Sequence, residues 1–347
     1  FLTNELRLHE KICGYIYTEL QDIEWEHNGF MNYDRTVKSF GYDYRVINNL
    51  DTVLIDAPPG GTIRGGAALE ADIYTSHFSS RIVNGASLYW RIDTLDAWGV
   101  EKEGIRSGST PVSFTQYRVE KVHRLTVEMP ASNQVCTLQI WIEDAAGSVV
   151  AQNFISREVY DAPLPAIDFR KGYLAARYDV ASYNIADWIG GTQTDGDLVI
   201  GLGSGTFEYS IELPDGMELG SITAIEFWAE LSSGREDSPQ TDAYALPSRV
   251  NISVNSIPVE TIILSDAPAD SRGVLSYIHG IAGRYGELTR TTAAGDDLEK
   301  ILTGIVENHL TIRYDVTSAN SFGNGLAVFG ARAGRYPVQP CAVLRLG

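Results

Sequence analysis

The sequence predicts a mainly β protein, two consecutive β-sandwiches behind a short helix-and-strand start. Three observations carry this reading. Beyond residue 46 the chain is dominated by short β-branched and aromatic runs broken by Gly, Pro, Asn and Asp, the pattern of strands joined by turns. Asp161-Ala162-Pro163-Leu164-Pro165-Ala166 interrupts those runs with two prolines and marks a linker. Residues 1–20 differ from everything after them, with a helical spacing running straight into a nearly continuous apolar stretch.

In residues 1–12, Leu2, Leu6, His9 and Ile12 recur at helical spacing between Glu5, Arg7, Glu10 and Lys11. Cys13-Gly14-Tyr15-Ile16-Tyr17-Thr18-Glu19-Leu20 then reads as a strand buried on both faces, as in a parallel barrel. Residues 1–46 are therefore expected to be a remnant of the last βα unit of a TIM barrel. One such unit cannot close a barrel, so it is expected to pack on the following sandwich or pair with another chain. The start Phe1-Leu2-Thr3 has neither an initiator Met nor a signal-peptide layout and is read as a fragment boundary.

Residues 47–162 hold about seven short strands and predict an immunoglobulin-like sandwich. Examples of the expected strands are Asp51–Asp56, Ala68–Tyr74, Ala86–Ile92, Arg124–Glu128, Thr137–Glu143 and Val149–Ile155. Within Thr137–Glu143, Leu138, Ile140 and Ile142 point one way. Residues 163–347 predict a jelly-roll accessory domain of the galactose-binding-like kind, with strands such as Thr206–Leu213, Ala224–Leu231 and His309–Val316 and a short helix over Asp296–Ile305.

A formal charge of −18 repels nucleic acid and anionic membrane, and no run is long enough to span a bilayer. Such a surface suits a neutral sugar. The three cysteines, Cys13, Cys136 and Cys341, are far apart in apolar stretches and read as buried free thiols.

Several motifs in the sequence have plainer structural readings. His9-Glu10 lacks the second histidine of a zinc site, because position 13 is Cys. Gly201-Leu202-Gly203-Ser204-Gly205 looks like a phosphate loop, yet it precedes an alternating run rather than a helix, so it reads as a turn. Asp195-Gly196-Asp197 offers two carboxylates for a structural calcium, too few alone for six to eight oxygen ligands. Glu19, Asp22, Glu24 and Glu26 cluster after the first strand; paired carboxylates are what glycoside hydrolysis needs, but a loop held by carboxylate hydrogen bonds to backbone and to Arg35 is the simpler reading.

Gly14–Leu20, followed by Asp22, Glu24, Glu26, Asn28-Gly29 and Tyr33-Asp34-Arg35, resembles the eighth barrel strand and following loop of the family 2 glycoside hydrolases, the β-galactosidase and β-glucuronidase family, in a bacterial branch. The resemblance covers about 25 residues of a chain that the domain count makes at least two domains. It implies that the chain is the C-terminal, non-catalytic part of such an enzyme. The family's two glutamates would lie upstream of Phe1, leaving no catalytic residue here, no activity alone, and the N-terminal catalytic domains as partners. It places Tyr17, Thr18, Asp22 and Glu24 beside the substrate cavity, and favours a secreted or periplasmic location over a cytoplasmic one.

Carbohydrate, a β-glycoside or polysaccharide, is the expected ligand of residues 163–347. Flat aromatics stack on sugar C–H faces while polar groups take the hydroxyls. The candidates are Trp188 and Tyr183, with Tyr285, Arg284, His279 and Arg335; Trp188 precedes Gly190-Gly191 and Tyr285 lies between Gly283 and Gly286, which reads as loop. Trp228 alternates with Ile225, Phe227 and Ala229 and reads as core. No cofactor or metal is otherwise expected. The competing reading is purely structural, sandwiches that brace the barrel and mediate homo-oligomerisation.

Overall fold

The computed structural model describes residues 2–9, 11–24, 26, 29–38, 48–58, 62–113, 115–234, 247–264, 286–317, 325–334 and 336–347. It is mainly β, and it divides into two compact units, one built chiefly from residues up to Ala162 and the other chiefly from Pro163 onward.

The first unit packs two sheets around one core. Strands β1 (Asp51–Asp56), β3 (Ala68–His77) and β6 (Arg118–Glu128) form one sheet in the order β1-β3-β6. Strands β2 (Thr62–Arg64), β4 (Ala86–Asp96), β5 (Glu101–Val112), β7 (Gln134–Glu143) and β8 (Val149–Tyr160) form the other, ordered β2-β8-β7-β4-β5. Period-two alternation aims Val53, Ile73 and Leu125 of the first sheet at Leu88, Ile92, Leu138, Ile140 and Ile142 of the second. The remaining face of the five-stranded sheet is left half-buried.

Helix α1 (Leu2–Leu8) docks on β1 by its polar groups, since none of its residues is buried. The Asn4 carboxamide donates to the Ile55 carbonyl at 3.0 Å and accepts the Ile55 N–H at 2.8 Å. Asn153 Nδ2 donates to the Val53 carbonyl at 2.9 Å. Two side-chain amides thus satisfy the edge of β1 that β3 does not pair, which blunts that edge against other strands.

The expected strand over Cys13–Leu20 does not form. Ile16 is 94% exposed, and Cys13 is exposed rather than buried. A short apolar run becomes a buried strand only where neighbouring strands pair with it; here the Leu20 carbonyl accepts the Met31 N–H at 3.0 Å, and past it lie the isolated bridges Gln21↔Met31 and Met31↔Val37.

The second unit also pairs two sheets. Its larger sheet gathers β9 (Ile167–Arg170), β10 (Tyr173–Arg177), β12 (Thr192–Thr194), β13 (Leu198–Gly201), β15 (Ile222–Gly234), β18 (Glu287–Ala293), β20 (Gly325–Phe329) and β21 (Cys341–Leu346). The smaller is β11 (Tyr183–Trp188), β14 (Gly205–Glu212), β19 (His309–Val316), β16 (Ser248–Val254) and β17 (Ile257–Leu264), in that order. Strand β15 is the hub. Its residues 225–231 pair with β18 on one edge, while β21 takes 222–228 and β20 takes 230–234 on the other. The core is rich in aromatics: Phe207, Tyr209 and Tyr314 face Ile225, Phe227 and Leu231. Helix α2 (Gly295–Thr303) adds Leu298 and Ile301 to it.

Candidate functional site

The residues singled out from sequence fall in different places. Trp188, expected on a loop, closes β11 and is 7% exposed. Its ring packs on Phe207 with centroids 4.8 Å apart, and a Cβ on Gly201 or Gly205 would strike the indole. The glycines are therefore space for Trp188, and its indole belongs to the core. Tyr183 is half-buried at the core margin, 5.6 Å from the Phe207 centroid. His279, Arg284, Tyr285 and Arg335 lie outside the described residues.

Around the first segment, Tyr17 stacks on Phe30 at 4.3 Å, and partial burial with the Asp22 charge pushes its phenol up. Thr18 and Glu24 are exposed. Asp22 is 2% exposed and accepts the Gly29 N–H at 2.9 Å and Lys38 Nζ at 2.7 Å. Its carboxylate closes a loop on Lys38, where the sequence suggested Arg35.

Asp195-Gly196-Asp197 forms the tight turn between β12 and β13, with Asp195 and Leu198 exchanging backbone hydrogen bonds and Gly196 at φ 58°. The Asp197 carboxylate already accepts the Arg332 N–H at 3.1 Å. Among the described residues no group of three or more His, Cys, Asp and Glu is placed to hold a metal ion. Trp228 is 8% exposed and fully engaged: its Nε1 donates to Glu226 at 2.8 Å and the Arg290 guanidinium lies 4.6 Å from its ring centroid.

Asp51, His77 and Ser79 imitate a catalytic triad in composition only. Both His77 Nδ1, at 2.8 Å, and Ser79 Oγ, at 2.6 Å, meet the Asp51 carboxylate. A nucleophilic serine must instead bond the imidazole. This arrangement activates no nucleophile; it ties the end of β3 to the start of β1.

A half-buried aromatic and polar constellation lies on the outward face of the β2-β8-β7-β4-β5 sheet. In β4 the even positions Leu88 and Ile92 are buried, leaving Ser87, Tyr89, Arg91 and Asp93 on the other side. In β7 the same parity leaves Thr137, Gln139, Trp141 and Glu143 outward. The ladder sets Ser87 opposite Glu143, Tyr89 opposite Trp141, and Arg91 opposite Gln139. The two rings stack with centroids 5.5 Å apart and planes 13° from parallel. Trp141 Nε1 donates to Glu143 Oε1 at 2.8 Å, which fixes that carboxylate beside the ring. Beyond Tyr89, β5 presents Ser109, with Ser107 and Pro111 on either side of it, all three exposed. An apolar step therefore rises from a polar face, with an amide on one side, a carboxylate on the other and room beside it.

Sequence reasoning placed its binding candidates in the other half of the chain and missed this pair. The signal was present: once Leu138, Ile140 and Ile142 are inward, Trp141 must stand among Thr137, Gln139 and Glu143. Its partner could not be read, because Tyr89 is set opposite it only by the register of β4 on β7. The outward face of the smaller sheet in the second unit is a contrast. There Arg313 bridges Asp315 at 2.9 Å and Glu208 at 3.7 Å, and Thr261 bonds Asn251, a solvated polar face.

No protein-family model and no curated relative matches the sequence. Solved structures with similarity include the CARDB domain of a Pyrococcus furiosus protein in complex with di-metal ions, at 14% identity over 32% of this chain and 87% of that one, with a TM-score of 0.21. The tandem CBM51 modules of a family 98 glycoside hydrolase from Streptococcus pneumoniae match at 11% identity over 91% and 87% of the two chains, with a TM-score of 0.26. A peptide-N(4)-(N-acetyl-β-D-glucosaminyl) asparagine amidase matches at 10% identity over 85% and 96%, with a TM-score of 0.25. Scores of this size do not establish a shared fold.

Proposed function

We propose that this chain is a non-catalytic accessory region that binds carbohydrate through the Tyr89–Trp141 face of its first unit. The observation that carries the proposal is the stacked pair itself, set on a half-buried sheet face between Gln139 and Glu143. Pyranose C–H faces pack on aromatic surface, and carboxylate and carboxamide groups hydrogen-bond the hydroxyls around them. Titration of the whole chain with β-linked oligosaccharides, followed by calorimetry and by tryptophan fluorescence, tests it. Trp141→Ala and Tyr89→Ala each weaken binding about tenfold or more, as loss of a hot-spot aromatic does; unchanged affinity in both variants refutes the assignment.

A structural reading has its own support. Directly opposed aromatic residues stabilise a sheet without any ligand, and the Trp141 N–H is already satisfied by Glu143. On that reading both variants lose stability and no sugar binds the parent chain.

The proposal extends to architecture and origin. We read the first unit as an immunoglobulin-like sandwich and the second as a jelly roll, supported by two sheets packed about a shared main core in each. Descent from a family 2 glycoside hydrolase rests mainly on residues 13–35. It offers no position in this chain for the catalytic carboxylates, so the isolated chain is expected to have no hydrolase activity, and an assay on β-glycosides that showed turnover would refute that expectation.

A further inference from the structure

We infer that the Tyr89–Trp141 face selects uncharged oligosaccharides and discriminates against uronic-acid and sulfated glycans. This rests on the carbohydrate reading above and adds the class of ligand. An acidic sugar needs a cation with bonding capacity to spare, most often an Arg fork that takes a carboxylate or sulfate on two N–H groups. The cation in these rows is Arg91, and protein carboxylates already hold it. Its Nε lies 3.1 Å from Asp93 Oδ1 and 3.2 Å from Asp93 Oδ2, and its Nη1 lies 3.3 Å from Glu103 Oε2. Asp93 is fixed in turn by the Gly104 N–H at 2.9 Å, so the guanidinium is clamped from the side of β5.

Among the described residues of this face, one cation, Arg91, therefore stands with three carboxylates, Asp93 and Glu103 bound to it and Glu143 beside the Trp141 ring. The face is net negative within a chain of formal charge −18. Two of those carboxylates are pinned by donors, Asp93 by Gly104 and Glu143 by the Trp141 N–H, so they cannot swing away from an incoming anion. For a neutral sugar the two polar groups that flank Trp141 along β7 are assets. Glu143 retains acceptor sites for hydroxyl donors, and Gln139 supplies both a donor and an acceptor. Glu143 and Gln139 are four residues apart along β7, about 13 Å at strand rise. That is longer than one pyranose ring, so a ligand that uses both is an oligosaccharide rather than a monosaccharide.

Calorimetry of the whole chain decides the matter with two probes of equal length, a neutral β-linked glucan or galactan oligosaccharide and a uronate-containing oligosaccharide. The expected result is measurable affinity for the neutral probe and at least about tenfold weaker binding of the acidic one at low ionic strength. That gap narrows toward 1 M salt, where the Debye length falls to about 3 Å. Glu103→Gln, on an exposed side chain, releases one arm of Arg91 and raises acidic-probe affinity several-fold while leaving the neutral affinity unchanged. Equal or tighter binding of the acidic probe by the parent chain overturns the charge selection and leaves the carbohydrate reading standing. Binding of neither probe overturns both.

Discussion

Trp188 lies flat against the backbone of Gly201, so close that a methyl group there would fall within the indole. The relationship explains the glycine-rich turn more fully than its resemblance to a phosphate loop does. Gly203, at φ 77°, makes the turn between β13 and β14, while Gly201 and Gly205 make the room. Gly201→Ala is an overpacking change and is expected to cost about 1–3 kcal/mol. Trp188→Ala removes a large core ring and is expected to cost about 3–5 kcal/mol. Trp188→Phe should cost less, because the indole N–H has no hydrogen-bond partner among the described residues and its removal leaves nothing unpaired. Urea denaturation of the three variants checks the order. Sugar affinity at the Tyr89–Trp141 face should not change in any variant that folds.

A second prediction concerns Asn4. Its carboxamide makes both backbone hydrogen bonds of Ile55, in the manner of a one-residue strand. Asn4→Ala should cost about 1–3 kcal/mol and free the Ile55 amide to exchange. Asn4→Asp is the sharper test. A carboxylate still accepts the Ile55 N–H, but it faces the Ile55 carbonyl with no donor, so it should destabilise the α1 contact more than the Ile55 amide's protection would suggest. Hydrogen exchange at Ile55 together with urea midpoints separates the two effects: in Asn4→Asp the amide stays protected while the midpoint falls.

Legibility in the sequence followed the burial of each strand. His309–Val316 alternates strictly and forms β19 over those same residues, because one face is core and the other polar. Strand β5 left no such trace. It is an edge strand exposed along most of its length, with Gly104, Gly108 and Pro111 where β-branched residues would be expected. A proline is tolerated there because an edge need not donate to a second neighbour, and Gly108 is required because a Cβ would sit 2.8 Å from the Trp90 ring. Cys13–Leu20 failed in the opposite sense: composition alone cannot supply the neighbours a buried strand needs. The aromatic pair was half legible, since parity shows Trp141 but only the register shows Tyr89.

Acid should act on the first unit through Asp51. Burial opposes ionisation of its carboxyl, but hydrogen bonds from Ser79 and His77 outweigh that and hold it below the usual range. A carboxyl with a depressed folded-state value contributes stability that is fully present above its unfolded value, about 3.9, and is lost as pH falls through the folded value. Asp51→Asn should therefore lower stability at pH 7 and lose less on acidification than the parent, so the two curves converge below about pH 4. Denaturation midpoints between pH 7 and pH 3 check this, and parallel curves would remove Asp51 from the explanation.

The thiols give the simplest measurement. Cys136 and Cys341 are 2% and 3% exposed, and burial pushes both thiols up to about 12. At pH 8 almost none of either is thiolate, the reactive form, and neither can be reached by a reagent. Cys13 is exposed, against the expectation from its apolar surroundings. A colorimetric disulfide reagent at pH 8 should therefore titrate one thiol rapidly in the native chain and all three in denaturant. Cys13→Ser should abolish the fast native reaction without moving the urea midpoint. Rapid labelling of two or three thiols in the native chain would show that the cores around Cys136 and Cys341 open far more readily than their packing implies, and a native chain with no fast thiol would place Cys13 back in a buried strand.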